Sequence, residues 1–224
     1  MSARDEILAR VRGATTDVTT PTGSLRREQL TDSGAADADG LTQFAEMVAD
    51  YRAEVVRVAD HEVPAAIATA LRDHGCRSVV VPDGLDPAWV TAAEEVARVR
   101  READTPTHAD LDATDAAVTA AALGIAVTGT IVLDHRADQG RRALTLVPDN
   151  HVCVVRADQV VQDVPPAVAR LRPDAGDARP LTWISGPSAT SDIELQRVEG
   201  VHGPRTLVMV LVEGAAPPLR PPHP

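Results

Sequence analysis

Lysine is missing altogether from this 224-residue sequence, so its 22 basic residues are all arginine, set against 33 acidic ones for a net charge of −11. No basic run is sustained along the chain. Phosphate backbones are bound by clustered cations, so a nucleic-acid partner is not expected. Aromatic residues are nearly absent as well: Phe44, Tyr51, Trp89 and Trp183 complete the set. The core must then be built from Val, Leu, Ile and Ala, the vocabulary of buried parallel strands. A composition rich in Ala, Asp and Val and free of Lys points to a GC-rich bacterial genome rather than to a functional demand.

Cysteine is almost as scarce. Cys76 and Cys153 stand far apart in apolar contexts, and an iron–sulfur cluster takes about four thiolates. No cluster or other cofactor is therefore expected in this chain, and the two read as buried structural thiols in a reducing compartment. No window approaches eighteen uninterrupted apolar residues, and Met1 to Arg12 is charged and helix-like with no apolar signal region. A cytoplasmic chain without a membrane span is expected. There is no Walker loop, no G-x-G-x-x-G, no H-E-x-x-H and no G-x-S-x-G elbow, which argues against a standard NTPase, a Rossmann dehydrogenase, a zincin and an α/β-hydrolase.

What remains is a regular alternation of short apolar runs and helical patterns. Ile7, Leu8 and Val11 share one helical face behind a capping-box-like Ser2 and Asp5, and Gly13 to Gly40 is loop-like. Leu41, Phe44, Ala45 and Val48 repeat at helical spacing, and Val55, Val56 and Val58 read as a strand. Pro64 suits a first helical turn and Gly75 a helix stop, after which Ser78 to Val81 is a buried strand. A helix is expected around Trp89 to Val96, whereas Ala116 to Ile125 fits either helix or strand. Thr130 to Leu133, Ala143 to Val147 and Val152 to Val155 read as strands, Val160 to Leu171 as a helix, and Leu181 to Ile184 and Leu207 to Val212 as the last two strands with a helix from about Ser191 between them. The pattern predicts an α/β fold: a single domain with a mostly parallel central sheet flanked by helices. Residues 1–40 form an N-terminal helix and flexible arm, residues 41–213 the domain, and residues 214–224, with five prolines, a disordered tail.

The stretch Ser185 to Glu194, SGPSATSDIE, joins an apolar strand to the expected helix through small and hydroxylated residues. In open α/β sheets ligands sit beyond the carboxyl ends of strands. Ser188, Thr190 and Ser191 would either cap the helix or hold an anion with its free N–H groups. Further on, Gly200 and Gly203 flank His202, while VTGT at Val127 to Thr130 and PDNH at Pro148 to His151 bring Thr128, Thr130, Asp149 and His151 into range of the same edge. His151, His202, Asp192 and Glu194 contain the ingredients of a two-His, one-carboxylate site, but they lack the local spacing of one, and no metal site is expected.

Three stretches together carry more than any of them alone: TGTIVLD at Thr128 to Asp134, RRALTLVPDNHVCVV at Arg141 to Val155, and WISGPSATSDIELQRVEGVHGP at Trp183 to Pro204. They resemble the signature of the lactate-utilisation protein C family, also called LUD-domain or YkgG proteins, over about Leu41 to Val212. The resemblance implies a fold similar to the NagB/RpiA/CoA-transferase-like class. It implies an accessory role beside iron–sulfur lactate-utilisation subunits in bacterial oxidation of L-lactate to pyruvate, with the clusters in those partners. Carried over residue by residue, it makes Thr128, Gly129, Thr130, Ser185, Gly186, Ser188, Asp192, Glu194, His202 and Gly203 candidates for binding a small anionic ligand, and assigns no catalytic residue. Val127 stands where members of the family often carry an acidic residue, so no acid–base role falls on it. The competing expectation is an independent CoA-transferase-like enzyme acting on a sugar phosphate, a thioester or a folate-type substrate; a third is a sensor for a small carboxylate.

Overall fold

The valine-rich segments find one another as neighbours in a sheet, and the helices between them cover both of its faces. A computed structural model describes residues 3–14, 36–105, 107–171, 179–190, 198–200 and 202–214. Contacts divide the chain into two units, Met1–Asp32 and Ser33–Pro224. The described part of the first is helix α1 (Ala3–Ala14), with an i,i+4 ion pair between Glu6 and Arg10 at 3.3 Å.

The second unit opens with α2 (Ala38–Asp50), capped by the Asp37 carboxylate on the Gly40 N–H, and continues through β1 (Glu54–Ala59), α3 (Val63–Asp73), β2 (Ser78–Val81), α4 (Pro87–Glu94), β3 (Arg98–Arg101) and α5 (His108–Asp112). It then runs through β4 (Ala116–Ala120), β5 (Leu123–Ile125), β6 (Thr130–Leu133), β7 (Asn150–Arg156), β8 (Val160–Val161), α6 (Val164–Arg170), β9 (Thr182–Ile184), β10 (Ala189–Thr190), β11 (Val198–Glu199) and β12 (Thr206–Glu213). Six strands form a wholly parallel sheet in the order β1-β12-β7-β4-β2-β3. Four more form a mixed sheet, β8-β5-β6-β9, and β10 pairs with β11 antiparallel.

Period-two alternation along the central strands assigns the layers. Val152, Val154, Val208, Val210 and Val212 face α3 and α4. Cys153, Val155, Leu207, Met209 and Leu211 face the other way, onto Phe44 and Val48 of α2 and Ile131 and Leu133 of β6. Val132, between those last two, points to the far side of the mixed sheet and packs near Ala167 of α6. Each buried Val or Leu contributes roughly 1.5–3 kcal/mol of transfer free energy, which is how a chain with so few aromatics holds three layers together. Among the described residues no helix is long and apolar enough to cross a membrane.

Three segments differ from the sequence expectation, and the choice left open at Ala116 to Ile125 is decided. Ala143 to Val147 is not a strand: Arg142–Thr145 forms a 3-10 turn, because both edges of β7 are already occupied by β4 and β12 and only Leu144 is needed to plug a small cluster with Val80, Leu111 and Ala117. Val160 to Leu171 is helical only from Val164, where Asp163 caps the first turn. Val160 and Val161 instead pair with β5, since Pro165 and Pro166 fit a first turn but no later one. Ala116 to Ile125 resolves as two strands, β4 and β5, and the loop-like stretch to Gly40 ends early, at the start of α2. The capping pair at Ser2, most of the arm, the helix near Ser191 and the tail after Gly214 fall outside the described residues.

Candidate functional site

A cavity of about 330 Å³ lies on the face of the central sheet that carries the mixed sheet. Its floor is His151 and Leu207, the second residues of β7 and β12, and one wall is β9 with the loop that follows it. The opposite side is made by Arg142 and Thr145 of the 3-10 turn and by His202 to Pro204. The cavity thus opens at the amino ends of the parallel strands, not beyond their carboxyl ends. The rule for parallel sheets does not reach this loop, because β9 belongs to the mixed sheet and pairs antiparallel with β6.

Ser185, Gly186, Ser188, His202 and Gly203 all line the cavity. Ser188 joins the loop after β9 to the segment before β12: its N–H donates to the Pro204 carbonyl at 2.8 Å, its own carbonyl accepts from Gly200 N–H at 2.9 Å, and its Oγ accepts from His202 N–H at 3.1 Å. From Ser188 the chain continues into β10, antiparallel to β11, and the helix expected from about Ser191 lies outside the described residues. Thr128, Gly129 and Thr130 stand one layer back. Thr128 Oγ1 lies 2.8 Å from Thr130 Oγ1, which lies 2.8 Å from Ser185 Oγ, a line of three hydroxyls ending at the cavity wall. Asp192 and Glu194 lie outside the described residues.

Two of the glycines have a packing reason for being there. Gly129 (φ +56°) and Gly186 (φ +81°) adopt left-handed backbone, and a Cβ on either would come within 2.6 Å of the last turn of α2, at the Met47 carbonyl carbon and at Tyr51 respectively. They let the two loops lie against one helix end, which sets the cavity wall.

Residues 41–212 match the family described as the LUD domain. The chain belongs to the LUD-domain family. It is 51% identical over 177 residues to lactate utilization protein C of Deinococcus radiodurans, a match covering 78% of this chain and 80% of that one. Lactate utilization protein C of Oceanobacillus iheyensis is 22% identical over 78% of this chain and 79% of the relative. The uncharacterized protein YkgG of Escherichia coli is 36% identical over 40% of each chain. Among solved structures, a duf162 family protein from Deinococcus radiodurans superposes with a TM-score of 0.67 at 43% identity, covering 79% of this chain and 98% of the other.

Within this LUD domain the second and third signature stretches supply the cavity, and the first supports it from behind. Val127 is exposed and donates its N–H to the Gln162 carbonyl at 3.1 Å. His151 and Arg142, neither of them among the ten ligand-binding candidates carried over from the resemblance, also line the cavity. His151 is only 1% exposed, places Nε2 2.9 Å from Thr119 Oγ1, and leaves Nδ1 without a hydrogen-bond partner among the described residues. Burial pushes its pKa down to about 4, so the imidazole is neutral at pH 7. Arg142 is exposed at the rim and enters no ion pair among the described residues. Sequence introduces His151 only through the PDNH turn and an incomplete metal set. The signal that points to it is the alternation along β7, which turns positions 151, 153 and 155 to the cavity side of the sheet. Among the described residues no three His, Cys, Asp or Glu side chains come together as a metal-ligand set.

Proposed function

We propose that this LUD-domain chain acts in the oxidation of L-lactate to pyruvate, as the accessory subunit of a cytoplasmic iron–sulfur system whose clusters are held by partner proteins, and that its own cavity holds a small carboxylate. The observation that carries this reading is the 51% identity, across about four-fifths of both chains, to a lactate utilization protein C. The site is compatible with it: a rim arginine not engaged in an ion pair among the described residues and two serine hydroxyls offer donors to a small anion. The thiols support cluster chemistry elsewhere. Cys76 packs with the α3 and α4 side of the sheet and Cys153 with the other face. Burial pushes them up to about 11 and about 12, whereas cluster ligands are thiolates.

The test is affinity capture of the tagged chain from cells growing on L-lactate. Two iron–sulfur proteins are expected in the eluate, with no iron or acid-labile sulfide in the chain purified by itself. Stoichiometric iron in the isolated chain, or capture of no cluster-bearing partner, contradicts the proposal.

A further inference from the structure

We infer that His135 is a positioning residue for the cavity: its ring sets which way the Thr182 hydroxyl hydrogen points, so that an anion in the cavity and a proton on His135 favour each other. This rests on the proposed small-carboxylate reading and adds to it how binding at that site is controlled.

His135 stands two residues past the end of β6 in left-handed backbone, at φ +58°, a conformation that a non-glycine residue keeps only where its surroundings hold it. Its ring is tied at both nitrogens: Nδ1 lies 2.9 Å from the Gly140 carbonyl and Nε2 lies 2.8 Å from Thr182 Oγ1. A carbonyl oxygen can only accept, so Nδ1 carries the hydrogen. In the neutral ring Nε2 is then a lone pair, and Thr182 has to donate its one hydroxyl hydrogen to it. In that state Thr182 offers nothing but lone pairs to any other group. Thr182 pairs with Leu133 across β9 and β6, and directly opposed residues project to the same face; Leu133 packs toward the central sheet, so Thr182 points into the space between the two sheets. There it lines the cavity, and His135 acts on the cavity through it.

Protonation reverses the arrangement. With a hydrogen on each nitrogen, Nε2 donates to Thr182 Oγ1, and the hydroxyl hydrogen is released to turn toward another acceptor. A carboxylate oxygen against the cavity wall is such an acceptor, and the imidazolium behind the hydroxyl adds a positive charge. The neutral form meets the same carboxylate with lone pairs and disfavours it. Anion binding and proton binding are therefore coupled, and the coupling is reciprocal. The charged groups around the ring are otherwise engaged. In its own loop, Asp134 pairs with Arg136 at 2.7 Å, and burial holds the Asp138 carboxyl above the usual carboxylate range. From the turn after β3, Glu102 accepts the Arg141 N–H at 2.9 Å. Strand β9, reading Thr-Trp-Ile, brings no charge. On the cavity side Arg142 stays charged, and His151 is neutral above about pH 4. His202 is the other cavity imidazole, so the test reads each ring separately.

The experiment titrates the full chain with L-lactate and with pyruvate by calorimetry from pH 8 to pH 5.5, and follows each histidine ring by ¹⁵N NMR over the same range. At pH 8 the His135 ring is expected to carry its hydrogen on Nδ1. Affinity for either acid is expected to rise about fivefold on going to pH 5.5, the worth of one hydrogen bond. By reciprocity the His135 titration midpoint should move up by about 0.7 pH unit when the acid is bound. His135→Gln is expected to flatten the rise. Thr182→Val should abolish the ligand-induced midpoint shift, and Thr182→Ser, which keeps the hydroxyl, should restore it. A neutral ring with its hydrogen on Nε2, a parent midpoint unmoved by either acid, or a rise undiminished in His135→Gln overturns the inference; the NMR arm uses the parent chain and stands even if a variant does not fold. Failure of both acids to bind also overturns it, while capture of iron–sulfur partners would still uphold the accessory role. Proton-linked binding without such partners would have the reverse meaning.

Discussion

Lowering the pH from 7 to 5 should cost the folded chain about 2 kcal/mol through His151 alone. The pKa of its buried imidazole falls from the ordinary 6.5 to about 4 on folding. At pH 5 the unfolded chain holds a proton on this ring and the folded chain does not, so acid favours unfolding by a factor of about 20 relative to pH 7, which is about 2 kcal/mol. The sign follows from which state binds more protons. Stability is fully present above about 6.5, falls as the pH drops through the window from 6.5 to 4, and changes no further through this group below about 4. The assay is urea unfolding at half-unit pH steps, for the parent and for His151→Gln, which keeps a polar contact available to Thr119 and does not titrate. Subtracting the two curves cancels the other ionisable groups and should leave a slope confined to that window. Parallel curves would show that His151 titrates alike in both states, and the account of a neutral buried imidazole would fail with it.

Gly186→Ala and Gly129→Ala should each lose at least about 1–3 kcal/mol by thermal melting, from left-handed backbone and from collision with the end of α2, and near-parental melting would refute the packing reason given for them. Ser188→Ala removes the acceptor for the His202 N–H and should cost about 1 kcal/mol, with exchange protection of that amide lost in the variant; unchanged protection would mean the contact is not formed. Neither Cys76 nor Cys153 should react with a thiol reagent at pH 8 until the chain is denatured, when both should; rapid labelling of the native protein would contradict their burial.

The central sheet was legible because it is buried on both faces, and such strands write themselves as Val runs that no surface pressure dilutes. Edge position hid β3, whose Arg98-Val99-Arg100-Arg101 reads as polar although it pairs in register with Ser78 to Val81. The opposite error at Ala143 to Val147 has a non-local cause, since an apolar run becomes a strand only where a free sheet edge exists, and β7 has none. The cavity wall from Ser185 to Ser188 and His202 to Gly203 was visible as an accumulation of Gly, Ser and His. Its location was not, because membership of β9 in the mixed sheet depends on pairing with β6, 49 or more residues earlier in the chain. His151 was the hardest residue to see. A lone histidine in an apolar strand carries no local mark of an unpartnered nitrogen, which appears only when β4 brings Thr119 beside it.

Growth of a strain deleted for this gene, on L-lactate and on glucose, tests the central claim most directly. The account predicts impaired growth on L-lactate, ordinary growth on glucose, and rescue on lactate by the parent gene. In a strain with no second copy of the gene, growth on L-lactate at the parental rate would contradict the lactate role.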